Sequence, residues 1–128
     1  MSALSDNSID FCISIYSPIS FVERPELMIQ EIGRVLKKNA TALIMGHSFH
    51  NALDSKINNF LSGSQELDKL YENHKVQWND SLPLLHTFSI EDFQKLGNKH
   101  NLFCDQGYGI TIYAKPTNED WDSSNVKI

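Results

Sequence analysis

Two short apolar runs flank an amphipathic segment in the first third of the chain. Ile9 to Ile15 form a nearly continuous apolar run, as expected of a strand that is covered on both faces of a parallel sheet. From Pro25 to Lys38 the apolar residues recur at helical spacing, and Ala40 to Gly46 form a second apolar run. Asn39 can adopt the left-handed conformation that ends a helix. The pattern predicts a strand, a helix and a parallel strand, and therefore an α/β fold.

The middle of the chain alternates helical and irregular patterns. Apolar positions from Asn51 to Tyr71 have helical spacing that Ser62 to Ser64 interrupts, which predicts two short helices or one kinked helix. The segment Lys75 to His86 contains a proline and predicts irregular structure, either a lid over a site or a loop packed on the core. Ser89 and Asp92 resemble a capping box that opens another helix.

Two further strands are predicted near the end of the chain. They span Leu102 to Cys104 and Ile110 to Ala114, with a turn at Gly107 to Gly109 between them. We assign residues 4–116 to one domain and residues 117–128 to a polar tail.

The charge and cysteine content of the chain indicate which partners and which compartment to expect. The 11 basic and 16 acidic side chains give a formal charge of −5, so no extended positive surface is expected and nucleic acid is disfavoured as a partner. No apolar run approaches the ~20 residues of a membrane span, which argues against a membrane. Cys12 and Cys104 lie in apolar runs and are predicted to be buried, inert thiols. We therefore expect a cytoplasmic protein.

The strand and helix motifs resemble those of a known family. Three features resemble the fourth strand, helix and fifth strand of class I S-adenosylmethionine-dependent methyltransferases. They are the stretch Asp6-Asn7-Ser8-Ile9-Asp10-Phe11, the helix opened by Pro25, and the stretch Glu31-Ile32-Gly33-Arg34-Val35-Leu36-Lys37. The likeness is to the small-molecule, methyltransferase type 11-like members. Where that family usually has Lys-Pro-Gly-Gly, this chain has Lys37-Lys38-Asn39-Ala40. The later stretch from His86 to Phe93 is similar to the family's last helix and, with Leu102 to Cys104, its sixth strand.

The resemblance implies a Rossmann-like methyltransferase sheet with helices on both faces. The family holds S-adenosylmethionine through a glycine-rich turn after the first strand and an acidic side chain after the second. Seven residues precede Ser8, too few for those elements. We therefore expect a partial domain, its C-terminal half, whose complete form would transfer a methyl group to a small molecule.

The resemblance also indicates candidate site residues. Ser14, Ile15 and Tyr16 match positions that line the cofactor, and open α/β sheets bind ligands beyond the carboxyl ends of their strands. The alternative is an ordinary strand terminus. His47 and His50 follow the second strand as candidate substrate-facing groups, or are surface histidines. No catalytic residue is assigned, and the histidine spacing does not suggest a zinc site.

A second hypothesis belongs to another class. The chain could be a non-catalytic binding or scaffold protein derived from a methyltransferase, completing its sheet with another chain. An exposed sheet edge would also favour self-association. An unrelated nucleotide-binding α/β fragment is a third alternative.

Overall fold

The computed structural model describes residues 3–59 and 61–109, which form a mixed α/β fold. The strands in these residues are β1 (Ile9–Ser14), β2 (Leu36–Ile44), β3 (His47–Ser48), β4 (Lys75–Val76) and β5 (Leu85–Phe88). The helices are α1 (Pro18–Phe21), α2 (Pro25–Val35), α3 (Phe49–Asn58), α4 (Ser64–Asn73) and α5 (Ile90–Asn98). The predicted α/β class is confirmed.

β1 and β2 pair in parallel, as the strand, helix and strand pattern predicts. Cys12 lies opposite Ala42, and Ser14 lies opposite Ile44. The N–H of Met45 donates to the carbonyl oxygen of Ser14 at 2.8 Å, so the pairing continues to the ends of both strands. The carboxyl ends of β1 and β2 therefore lie at the same edge of their sheet.

Helix α2 begins at the predicted residue but ends at Val35, before the predicted Lys38. Leu36 already belongs to β2, where it lies opposite Ile9 and is 4% exposed. Burying this side chain in the sheet outweighs the small gain from extending a helix through the lysines that follow. Asn39 does have a left-handed φ of 65°, but inside β2, where the register with β1 shifts, and not at a helix end.

One face of the β1–β2 pair is open, contrary to the prediction of a strand covered on both sides. Ser14 is buried, whereas Phe11, Ile13 and Ile15 are 52%, 59% and 50% exposed. Leu43, opposite Ile13 on β2, is 52% exposed. In the described residues this face is largely in contact with solvent. It is called the open face below and is formed by Phe11, Ile13, Ile15 and Leu43.

The predicted interruption between helices is real, and it separates α3 from α4. Gly63 immediately precedes α4. Lys56 on α3 is only 4% exposed, and its ammonium group pairs with the carboxylate of Glu66 on α4 at 2.6 Å. The two helices contribute Phe49, Ala52 and Leu70 to a core cluster that Val76 of β4 and Leu85 of β5 complete.

The segment from Lys75 to His86 is less irregular than predicted. It contains β4 and the start of β5, and β5 lies between β3 and β4, parallel to β3 and antiparallel to β4. Trp78 packs against the core cluster. This contact favours the packed-loop interpretation over the lid.

The capping box at the start of α5 is confirmed. The Ser89 hydroxyl accepts from the N–H of Asp92 at 3.1 Å, and the Asp92 carboxylate accepts from the N–H of Ser89 at 2.9 Å. The strand predicted from Leu102 to Cys104 is wrong, because this stretch is irregular. The N–H of Leu102 donates to the carbonyl oxygen of Gly97 at 3.0 Å, which folds the chain back onto the end of α5 instead of into a sheet.

The thiol prediction is wrong for one cysteine. Cys12 is half-buried, but Cys104 is exposed because it lies on the irregular stretch after α5.

Residues 107–109, where a turn is predicted, are also irregular. The predicted strand from Ile110 to Ala114 and the polar tail at residues 117–128 lie outside the described residues. Within the described part of the chain, no helix has the length and apolar character needed to cross a membrane.

The open face predicts self-association or marginal stability of the isolated chain, because it exposes apolar surface next to strand edges. We expect Ile13→Lys to reduce association in sedimentation velocity, since burying a lysine in a contact between copies is costly. Leu84→Lys is the matched control, because Leu84 is 60% exposed but lies outside this face. A monodisperse wild-type monomer with a sharp, cooperative melt, or equal effects of the two substitutions, would contradict the prediction.

Candidate functional site

The candidate site is the carboxyl edge of the β1–β2 pair, defined here by Ser14, Ile15, Tyr16, Ser17 and His47. Ser14 is 8% exposed, and its hydroxyl has no hydrogen-bond partner among the described residues. A buried polar group without a partner costs about 1–3 kcal/mol. Ser14 therefore places an unsatisfied hydroxyl where parallel sheets bind ligands.

The backbone beyond β1 adopts an uncommon conformation. Tyr16 and Ser17 have consecutive left-handed φ angles of 64° and 61°. Each such non-glycine residue costs about 1–2 kcal/mol, and strained backbone of this kind clusters at functional sites. The turn leaves the Tyr16 side chain 87% exposed and buries Ser17 at the start of α1.

His47 is held at the same edge by two residues of α1. Its backbone N–H donates to the Ser20 hydroxyl at 2.8 Å, and its ring meets Phe21 edge-on with the ring centroids 5.6 Å apart. Burial lowers the pKa of His47 below its usual value of 6.5. The imidazole is therefore neutral at pH 7 and can accept a proton.

His50 does not share this environment. It lies in the first turn of α3, is exposed, and contacts Phe49 with the ring centroids 5.4 Å apart. The structure thus brings Ser14, Ile15, Tyr16 and His47 to one edge, and it favours the surface interpretation for His50.

The edge offers part of a surface for S-adenosylmethionine, the cofactor that the sequence resemblance implies. Ile15 and Tyr16 are exposed apolar and aromatic groups, whereas the Ser14 hydroxyl oxygen is enclosed by protein atoms and has to be uncovered before it can donate to a ligand. In the described residues, no strand leads into a Gly-x-Gly turn of the kind that approaches a cofactor closely. Two cavities, of about 450 and 430 Å³, are lined by residues outside this edge. The residues present therefore fit a wall of a cofactor site.

Sequence reasoning missed a polar contact between His74, the residue directly after α4, and Asp92 in the first turn of α5. Nδ1 of His74 lies 2.5 Å from Oδ2 of Asp92, although 18 positions separate the two residues. Burial alone would raise the pKa of Asp92, but hydrogen bonds from Ser89 and His74 bring it below its usual value of 3.8. The capping box marks Asp92 in the sequence, whereas nothing local marks His74 as its partner.

Over residues 3–59 and 61–109, no group of three or more His, Cys, Asp or Glu side chains is arranged to hold a metal.

Comparison with known proteins adds no relative, since no family model, curated protein or solved structure matches this chain.

Two serine substitutions test the buried hydroxyls with opposite expected signs. We expect Ser14→Ala to raise the free energy of unfolding by about 1 kcal/mol, because it removes an unsatisfied polar group. Ser20→Ala should lower it by about 1–2 kcal/mol, because it leaves the partly buried N–H of His47 without its acceptor. Urea unfolding of both variants measures the two changes. A loss of stability in Ser14→Ala would show that its hydroxyl is satisfied.

The burial of His47 predicts a pH dependence of stability. Its folded pKa lies below the unfolded value of 6.5, so its contribution is complete above pH 6.5 and is lost as the pH falls from there through the folded pKa. We expect the free energy of unfolding to fall less over this range in His47→Gln than in the wild type. An NMR titration of the His47 ring gives the folded pKa directly, and a value at or above 6.5 would contradict the prediction.

Proposed function

We propose that this chain is the C-terminal part of a class I S-adenosylmethionine-dependent methyltransferase domain with a Rossmann-like sheet. In its complete form the domain would transfer a methyl group to a small molecule. Two findings support the proposal: the sequence resemblance over residues 4–114, and the parallel β1, α2, β2 unit with its carboxyl ends at one edge. As a cytoplasmic enzyme, it would need neither a membrane nor nucleic acid.

The buried Ser14 hydroxyl is the observation that carries the proposal. It lies at the end of the strand whose family counterpart lines the cofactor, and it has no partner within the described residues. The left-handed turn at Tyr16 and Ser17 follows directly. A protein tolerates both costs most readily where ligand contacts compensate for them.

The residues have distinct expected roles. The bound cofactor supplies an activated methyl group on a sulfonium centre. Ser14 would donate a hydrogen bond to it, and Ile15 and Tyr16 would exclude water from its side. His47, neutral at pH 7, would accept the proton that the methylated nucleophile loses. Alignment of nucleophile and methyl group would supply most of the rate, because such transfers need little acid or base assistance.

Cofactor titration tests the proposal. We expect no appreciable binding of S-adenosylmethionine and no methyl transfer by the 128-residue chain, since it offers one wall of the pocket. A longer version that supplies a first strand and glycine-rich turn should bind in the micromolar range. The short chain lacks the hydrogen bonds that the glycine-rich turn and the acidic side chain would make to the cofactor. Losing two such contacts readily changes a micromolar dissociation constant to a millimolar one.

The control for that experiment is Ser14→Ala in the longer version. We expect it to weaken cofactor binding about fivefold or more, by loss of one hydrogen bond. Micromolar binding by the short chain would contradict the incomplete site, and failure of both versions to bind would contradict the methyltransferase assignment.

The open face favours a second candidate function, that of a non-catalytic binding or scaffold protein. Phe11, Ile13 and Leu43 would then be covered by another chain that completes the sheet. This function predicts that Ile13→Lys abolishes partner binding while Ser14→Ala does not. The enzyme proposal predicts that Ser14→Ala weakens cofactor binding, so the two variants discriminate between the candidates.

A further inference from the structure

A cleft of about 450 Å³ lies between the end of α4, β5 and α5. Its lining includes Glu72 of α4, His74 directly after α4, Asp92 and Lys95 of α5, and Lys99 directly after α5. None of its lining residues belongs to the carboxyl edge. The cleft is shallow and largely open to solvent.

Two contacts fix the His74 ring in this cleft. Oδ2 of Asp92 lies 2.5 Å from Nδ1 and also accepts the N–H of Ser89 at 2.9 Å, so the carboxylate is itself held in place. The ring stacks on Phe49 with a centroid separation of 4.1 Å. The side chain remains 32% exposed. An ionised carboxylate only accepts hydrogen bonds, so Nδ1 carries the proton and Nε2 is the atom left to meet a ligand.

Two lysines line the cleft at the C-terminal end of α5. Lys95 lies in the last turn of the helix, and Lys99, four residues further on, directly follows its last residue. In the described part of the chain, neither forms an ion pair. Like charges at this helical spacing repel each other, and a bound anion would relieve the repulsion.

The three carboxylates of the lining either have other partners or lie on another wall. Asp92 is occupied by His74 and Ser89, and Glu26 is bonded to His100 at 3.3 Å. Glu72 belongs to α4, on another wall of the cleft. Lys95 and Lys99 are thus lysines of the lining that form no ion pair with a carboxylate in the described part of the chain.

We propose that this cleft binds a small ligand through a phosphate group, held by Lys95 and Lys99 and contacted by Nε2 of His74. A phosphate has three terminal oxygens, which suits three polar groups on two elements better than a carboxylate does. Its second pKa is about 6, so at pH 7 a phosphate monoester is mainly a dianion, whose oxygens accept hydrogen bonds from the two ammonium groups. Nε2 of His74 is the ring nitrogen left to contact the same phosphate group.

Phosphate titration followed by NMR tests the proposal. Inorganic phosphate is added to the full chain at constant ionic strength, with chloride as the balancing anion, and the His74 ring signals are recorded. We expect a saturable shift at His74 with a millimolar dissociation constant. The double variant K95Q/K99Q should bind at least about tenfold more weakly, since two charged contacts are lost.

The matched control is K38Q/K69Q, which removes the same charge from two exposed lysines outside the cleft. It should leave the dissociation constant unchanged. The absence of a saturable shift at His74, or equal weakening by the two double variants, would overturn the proposal.

Two further probes identify the source of the phosphate group. Tighter binding of methyl phosphate than of inorganic phosphate supports a phosphomonoester ligand, and equal binding supports phosphate itself. Acetate binding as tightly as either would overturn the assignment of a phosphate group.

Discussion

The close approach at Gly46 is the constraint on which the two halves of the structure depend. Gly46 lies between β2 of the first sheet and β3 of the second. A Cβ atom there would come within 2.8 Å of the Phe88 ring, 3.0 Å of Phe93 and 3.2 Å of Ile19. Phe88 and Phe93 stack with their centroids 4.7 Å apart, so neither ring can move away without losing its partner. Only a residue without a side chain lets the chain cross here, since overpacking costs about 1–3 kcal/mol.

This crossing explains how the carboxyl edge is assembled. The residue after Gly46 is His47, which enters β3 and meets Ser20 and Phe21 of α1. The position of His47 is therefore fixed by the second sheet, while Ser14 and Tyr16 are fixed by the first. Packing on both sides of Gly46 thus holds the chain at the edge where the unsatisfied hydroxyl and the left-handed turn lie. A site that draws on two sheets is rigid without needing a long loop of its own.

The sequence predicts the elements whose signals are local. Pro25 marks the start of α2, Gly63 the break before α4, and Ser89 with Asp92 the start of α5. The end of α2 is missed because the burial of Leu36 against β1 is a tertiary effect that helix propensity does not contain.

Apolar patterning also overstates how far β1 is covered. Alternation in a strand shows which residues share a face, but whether another element packs on that face depends on the rest of the fold. The same reason explains the candidate sites. Ser14, Ile15, Tyr16 and His47 could be grouped because strand ends share an edge. His74 and Asp92 meet because Thr87 of β5 binds the His74 carbonyl oxygen close to the start of α5. Contacts made by tertiary docking leave no periodic signal in either segment.

The two candidate sites also differ in how their polar groups are supported. At the cleft, the Asp92 carboxylate is bonded to a backbone N–H and to His74, so the pair stabilises the fold whether or not a ligand binds. At the carboxyl edge, the Ser14 hydroxyl and the turn at Tyr16 and Ser17 cost free energy in the described chain. A fold maintains such a cost when a ligand or a neighbouring chain offsets it. The first sheet, with its open face beside that edge, is therefore the half of the molecule whose structure most depends on a partner.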